Sequence, residues 1–330
     1  MMKAVAVEPG IAPVDALTAR SAPATAFPIV AEVGAIPARV SPVKSRLADY
    51  LELTKPKIAV MALFTVAAGY LLGAASASAV ALFHVLLGAG LVAAGGSALN
   101  QWLERRIDAR MPRTANRPLP AGRLAPAEAL TFGLALSVVG LAYLFLRLPY
   151  PAGVVAAATL VSYVAIYTPL KTLTVWNTVV GAVPGALPPV IGWAAARGWD
   201  SPWGGLSLFL VIFVWQLPHF LAIAWMYRAD YAHGGLRMLP GIDPTGGKTA
   251  AVMILTCVAL VPVGLVPLAL GIGGWPTAAG AALCGLLFLR QAVRFARTRT
   301  DAQARKVLRA SLLYLPAVLG LLLIDGLLAR

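Results

Sequence analysis

Nine stretches of this chain, near 58–74, 80–103, 124–146, 150–168, 176–196, 204–226, 249–272, 275–293 and 307–328, are apolar almost throughout. The hydrocarbon core of a bilayer is crossed by roughly 17–25 residues of α-helix, and each stretch reaches that length. Lipid offers no water to backbone N–H and C=O groups, so a spanning segment must bond itself as a helix or close into a barrel. Barrel strands alternate polar and apolar residues over about ten positions, whereas these runs are continuous and longer. The expected fold is an all-α polytopic membrane protein with nine transmembrane helices. With 59% hydrophobic and 12% charged residues, the composition agrees, since soluble domains carry about twice that charge.

The remaining charges are unevenly placed. Of the 27 Lys and Arg residues, all but Arg147, Arg197 and Arg330 fall in the N-terminal region or in the alternate loops on its side. Basic residues accumulate in cytoplasmic loops. The N-terminus is therefore expected in the cytosol and the C-terminus outside, in the plasma (inner) membrane. The net charge of +14 is then a topology signal that implies the lipid bilayer and anionic ligands as partners, and no nucleic acid. Residues 1–45 are rich in Ala, Pro and Val without periodicity and read as a disordered cytosolic tail, ahead of a transmembrane domain over 46–330. Pro and charged residues interrupt any signal-peptide core, and Glu8, Asp15 and Glu32 weigh against an organellar transit peptide. Residues 45–57 read as a short amphipathic lead-in. Cys257 and Cys284, in apolar runs, have neither zinc nor disulfide spacing.

The most highly charged stretch is residues 100–123, NQWLERRIDARMPRTANRPLPAGR, directly after the second apolar run. Asn100, Glu104 and Asp108 are spaced i, i+4, i+8, which places them on one stripe of a helix over roughly 12 Å. Pro112 is expected to stop that helix. Arg105, Arg106, Arg110, Arg113 and Arg117 surround the stripe. Carboxylates on one face ringed by arginines suit a divalent cation holding a phosphorylated ligand, with Arg113 and Arg117 on phosphate oxygens. A charged helix end solvated at the membrane surface fits the same pattern.

Two further loops belong to the same side. YTPLKTLTVWN carries Lys171, either an anchor at a helix end or a second cation for a diphosphate. YRADYAHGGLRMLPG carries Arg228, Asp230, Tyr231, His233 and Arg237. Asp230 is either a further cation ligand or the surface partner of Arg228 or Arg237. His219 lies within the sixth run beside Pro218, which is expected to bend the helix. At that depth an imidazole needs a partner, a backbone carbonyl or Gln216, or else a ligand.

NQWLERRIDARMPRTANRPLPAGR, YTPLKTLTVWNTVVGAVPGALPPVIGWAA, LPHFLAIAWMYRADYAHGGLRMLP and the nine-run plan together resemble the protohaem IX farnesyltransferases, or haem O synthases, of the UbiA prenyltransferase superfamily. The likeness extends from about Leu53 onward. It implies nine helices bundled around a central cavity, with two acidic motifs at its cytosolic mouth and Mg2+ bridging a diphosphate. It places Asn100, Glu104 and Asp108 in the first motif and Asp230 alone in the second, where the wider superfamily offers more acids. It assigns catalysis and metal binding to these four, catalysis and diphosphate contact to Lys171, and diphosphate contact also to Arg113, Arg117 and Arg228. His219 and Tyr231 become candidates for contact with haem. The implied substrates are haem B, farnesyl diphosphate and water, the products haem O and diphosphate, in the route to haem A for terminal oxidases. The resemblance also allows contact with haem A synthase or oxidase assembly factors.

Three other functions share parts of this pattern. A prenyltransferase acting on a quinone-precursor ring would share the magnesium motifs. A secondary transporter would want ionisable residues near the bilayer midplane, and none of the nine runs holds a clear acid there. A haem carrier would leave the acid–arginine stripe unexplained.

Overall fold

The computed structural model describes residues 45–328, and the expected tail over 1–45 lies outside them except for Ser45. In chain order the elements are α1 (Arg46–Thr54), α2 (Pro56–Gly73), α3 (Ala79–Asp108), α4 (Pro126–Arg147) and α5 (Tyr150–Val161). A π-helical stretch (Ser162–Tyr167) leads into α6 (Thr168–Leu173), followed by α7 (Asn177–Ala186), α8 (Pro188–Arg197), α9 (Pro202–Met226) and α10 (Arg228–Gly234). After a 3-10 turn (Leu239–Gly241) come α11 (Gly247–Val263), α12 (Val266–Ala269), α13 (Trp275–Thr298) and α14 (Asp301–Leu328). Among the described residues there is no strand. Nine segments among the described residues are long and apolar enough to cross a membrane. Three of them are composite: α5 with α6, α7 with α8, and α11 with α12.

The 25 prolines are compatible with so much helix because many stand in first turns, where no N–H partner exists to lose. Pro56, Pro126, Pro188 and Pro202 each open a helix. Two boundaries differ from the sequence reading. α13 runs on to Thr298, so Arg290 and Arg294 belong to the helix, and α14 begins at Asp301 rather than near 307. α9 continues through Pro218, and the interruption falls at Tyr227 (φ −109°, ψ 23°), so His219 and Asp230 share no continuous helix.

Two apolar cores hold the bundle. Ile212, Leu221, Met253, Phe288, Tyr314 and Leu319 join α9, α11, α13 and α14. Val66, Tyr70, Val85, Val92, Leu144 and Ile191 join α2, α3, α4 and α8. Helices in lipid gain most from close van der Waals approach through small residues. At Gly192 of α8 a methyl group would strike the Val66 carbonyl of α2, and at Gly69 of α2 it would strike the Pro189 carbonyl.

α3 matters most for the site. Thirty residues at 1.5 Å each give about 45 Å, against roughly 30 Å of hydrocarbon. Its last ten residues therefore reach beyond the apolar layer, and they contain Asn100, Glu104 and Asp108. Two small clusters fix that end. Leu53, Ala98, Leu119, Leu124 and Ala129 seat α1 and the loop after α3. Met111, Ala224, Leu236 and Met238, with Ile107 and Tyr231, seat the same loop against α9 and α10.

Candidate active site

The stripe is helical as far as Asp108, where α3 ends four residues before Pro112. Thr114 Oγ1 donates to the Asp108 carbonyl at 2.8 Å and satisfies part of that helix end. Asn100, Glu104 and Asp108 are all buried, at 1%, 7% and 1% exposure. Buried charges need partners, and each position has one. Lys171 Nζ lies 2.7 Å from Glu104 Oε1, and Arg117 Nη1 lies 2.6 Å from Asp108 Oδ2. Lys55 Nζ donates to Asn100 Oδ1 at 3.0 Å.

The Asn100 amide orientation follows from its neighbours. The Thr168 hydroxyl spends its hydrogen on the Tyr163 carbonyl at 2.9 Å, so it accepts from Asn100 Nδ2 at 3.1 Å. That leaves Oδ1 turned toward Lys55. All three stripe residues thus present oxygen to the same side, the donor chemistry of a hard cation such as magnesium. No cluster of three or more His, Cys, Asp or Glu able to hold a metal is found among the described residues.

Each cation is delivered by a different element. Lys171 ends α6, which the π-helical stretch joins to α5. Its ammonium lies 4.5 Å from the Tyr167 ring centroid, and Tyr167 stacks on Tyr163 at 6.0 Å. Arg237 N donates to the Lys171 carbonyl at 2.7 Å, and Asn177 Nδ2 to the Arg237 carbonyl at 2.7 Å, so the second loop is tied to the third. Lys55 stands between α1 and α2 with φ 49° and ψ 59°. Gln101 Nε2 donates to the Leu53 carbonyl at 2.9 Å, and Arg123 pairs with Asp49 and Glu52, which fixes α1 to the loop. Burial, and then the charges of Arg117 and Lys171, lower the Lys55 ammonium to about 7.

The other candidates divide. Arg113 lies over the rings of Tyr227 and Tyr231, at 5.0 and 5.8 Å, and so joins the first charged loop to α10. Burial raises the Tyr231 phenol above its ordinary value. Asp230 is half-buried and has no hydrogen bond or ion pair among the described residues. Arg228 turns away, to Asp301 at 2.7 Å and over Trp225. Arg105 bonds the Trp102 carbonyl, and Arg110 the Arg106 carbonyl. His219 Nδ1 lies 2.7 Å from Ser311 Oγ on α14, and its ring stacks on Trp215. The partner is neither a carbonyl nor Gln216, whose amide bonds the carbonyls of Ala182 and Ile212.

Sequence reasoning missed Lys55, Thr168 and Ser311. Only Lys55 had a signal, as a lysine directly before the proline that opens the first span. A groove of about 610 Å³ between α1 and α4, lined by Leu47, Tyr50, Leu51 and Phe132 among others, contains none of the stripe residues.

Among the described residues, an acid-and-amide stripe met by basic side chains stands at one end of a bundle of nine helical segments long and apolar enough to cross a membrane, which is the build of a multi-pass membrane protein. The model of the UbiA prenyltransferase family matches residues 62–314, and the chain belongs to that family as a multi-pass membrane protein. Over 292 residues it is 47% identical to the protoheme IX farnesyltransferase of Solibacter usitatus (strain Ellin6076), covering 84% of this chain and 98% of that relative. The solved structure of a digeranylgeranylglyceryl phosphate synthase matches with a TM-score of 0.72 at 20% identity, over 85% of this chain and 98% of that one. A UbiA homologue from Archaeoglobus fulgidus, bound to GPP and Mg2+, matches with a TM-score of 0.61 at 14% identity, over 85% and 98%. At such identities the structural likeness establishes the fold alone.

Proposed function

We propose that this chain transfers the farnesyl group of farnesyl diphosphate to a vinyl group of haem B, giving haem O. The observation that carries the reading is the 47% identity to a protoheme IX farnesyltransferase along 98% of that relative. In the reaction the bond between the prenyl C1 and the diphosphate oxygen breaks, its electron pair leaving with diphosphate. A carbon–carbon bond forms from the vinyl terminus to C1, and water adds to the adjacent carbon and loses a proton.

The residues supply what this chemistry lacks in water. Lys171, Arg117 and Arg113 neutralise the charge that grows on the leaving group. Asn100, Glu104 and Asp108 would hold magnesium, with Asp230 of α10 as a further ligand, and the metal would supply Lewis-acid stabilisation when bound. The stacked Tyr163 and Tyr167 hold the Lys171 ammonium in place from beneath, with the Tyr167 ring under it. Arg228, engaged with Asp301, is the weakest member of the diphosphate set.

For haem contact, the tautomer of His219 is informative. The Ser311 hydroxyl donates to the Leu308 carbonyl at 2.6 Å, so it accepts from His219 Nδ1–H. Nε2 then keeps its lone pair, as a ligand to haem iron requires. Tyr231, beside Arg113, is the candidate at the rim.

Haem extracted from membranes with and without the protein tests the reading: a farnesylated haem is expected only with it. A prenylated quinone precursor would favour the sister activity, and solute flux in proteoliposomes a transporter. The proposed orientation in the plasma (inner) membrane predicts that a reporter active only in the cytosol is silent when fused after Arg330.

A further inference from the structure

We propose that Lys55 is a diphosphate-binding residue, and that Lys55, Lys171 and Arg117 form an exchangeable set of cations that occupies the acidic stripe until a diphosphate draws them off and opens the stripe oxygens to a divalent metal. The inference rests on the reading of the stripe as a magnesium–diphosphate site.

The geometry is a ladder with one basic group per rung. Asn100, Glu104 and Asp108 meet Lys55, Lys171 and Arg117 at 3.0, 2.7 and 2.6 Å. The three cations come from the α1–α2 junction, from α6 and from the loop after α3. A metal and an ammonium or guanidinium compete for the same oxygen, and at ligand distance their like charges repel. A diphosphate resolves the conflict, because its oxygens accept the three basic groups while the metal bridges from the stripe. Metal and diphosphate binding are therefore coupled through these side chains.

Lys55 has a backbone reason as well. At φ 49° it occupies the left-handed region, where a helix end ordinarily takes Gly or Asn. Arg299, the other non-glycine residue with positive φ among the described residues, bonds only backbone carbonyls, whereas Lys55 carries its ammonium to Asn100. The helix that ends at Lys55 is fixed by the buried Leu53 and by the bonds from Gln101 and Arg123 to α1. The Lys55 Nζ is thus directed at the stripe by the structure rather than left to solvent.

The test uses purified full-length wild type, Lys55→Gly and Lys171→Gln. Two affinities are measured: for Mn2+ as a spin-active substitute for Mg2+, without diphosphate, and for farnesyl S-thiolodiphosphate at saturating Mg2+. The expected result is opposite movement in both variants. Mn2+ binding tightens several-fold as a competitor is lost, and analogue binding weakens about tenfold, the size of one charge-assisted hydrogen bond. Lys55→Gly should melt no lower than wild type, since glycine relieves the φ strain. Mn2+ affinity unchanged or weakened in both variants overturns the exchange, as does unchanged analogue affinity in Lys55→Gly. If wild type binds neither Mn2+ nor the analogue, the magnesium–diphosphate reading itself fails.

Discussion

Lys171 Nζ and Glu104 Oε1 stand 2.7 Å apart, with 12% and 9% of their side chains exposed, and through this contact α6 closes on the end of α3. The Tyr167 ring supports the ammonium, and the Lys171 carbonyl accepts from Arg237 N. Removing one member of a buried pair strands the other charge and costs about 3–5 kcal/mol, whereas replacing both is far milder. Lys171→Met alone should therefore lower stability in detergent by about that amount, and Glu104→Gln with Lys171→Met should recover most of it. Thermal unfolding of the two singles and the double checks this. Additive losses would mean that the pair contributes nothing as a pair.

Asp108→Ala removes a buried carboxylate from the stripe. Loss of one preorganised electrostatic group at a developing charge lowers turnover by about 10²-fold or more. Wild-type turnover in that variant at ordinary Mg2+ would take Asp108 out of the site. Arg117→Lys keeps the charge but not the planar fork, and is expected to raise the KM for farnesyl diphosphate about tenfold.

His219→Ala should weaken haem B binding and change its optical spectrum, with farnesyl diphosphate affinity unchanged. Ser311→Ala keeps the imidazole but removes the acceptor that fixes its tautomer. It should shift the haem spectrum by less and leave haem bound. Identical spectra in wild type and folded His219→Ala would leave the histidine a purely structural bond to α14.

The nine spans were legible because length and apolarity alone decide them. The stripe was legible because i, i+4, i+8 spacing is a property of the helix. The partners were not. Arg105, Arg113, Arg117 and Arg123 look alike in sequence, yet one pairs with Asp108, one rests on Tyr227, one bonds its own helix and one clamps α1. Which arginine goes where depends on how the loop after α3 packs on Leu53 and Met238. The π-helical stretch at Ser162–Tyr167 has no local signal either, and it precedes the α6 residues Thr168 and Lys171 that meet the stripe. Ser311 lies 92 positions from His219, so their pairing is a matter of tertiary structure.

Asp243 gives a pH-dependent stability. Burial pushes its carboxyl up, but hydrogen bonds from Thr249, Thr245 and Gly246 outweigh that, and its pKa lies below the ordinary value. Its Oδ2 accepts from Thr249 N at 2.8 Å and from Thr249 Oγ1 at 2.9 Å, satisfying a donor in the first turn of α11. Asp243→Ala should cost about 1 kcal/mol through the lost hydrogen bonds. Because the folded pKa is depressed, that stabilisation is full above the unfolded value of about 3.9 and is lost as pH falls through the folded one. Melting curves of wild type and variant should differ by a constant amount above about pH 5 and converge in acid. A gap that persists undiminished at low pH would contradict the assignment.

The most direct measurement is a chromatogram of haem extracted after purified protein in proteoliposomes is supplied with haem B, farnesyl diphosphate and Mg2+. The account predicts a new, more hydrophobic haem whose mass exceeds that of haem B by one farnesyl group and the elements of water, with diphosphate released in equal amount. It also predicts that product formation falls by about 10²-fold or more with Asp108→Ala. Haem B recovered unchanged from a folded wild-type protein, under conditions where it binds both substrates, would contradict it.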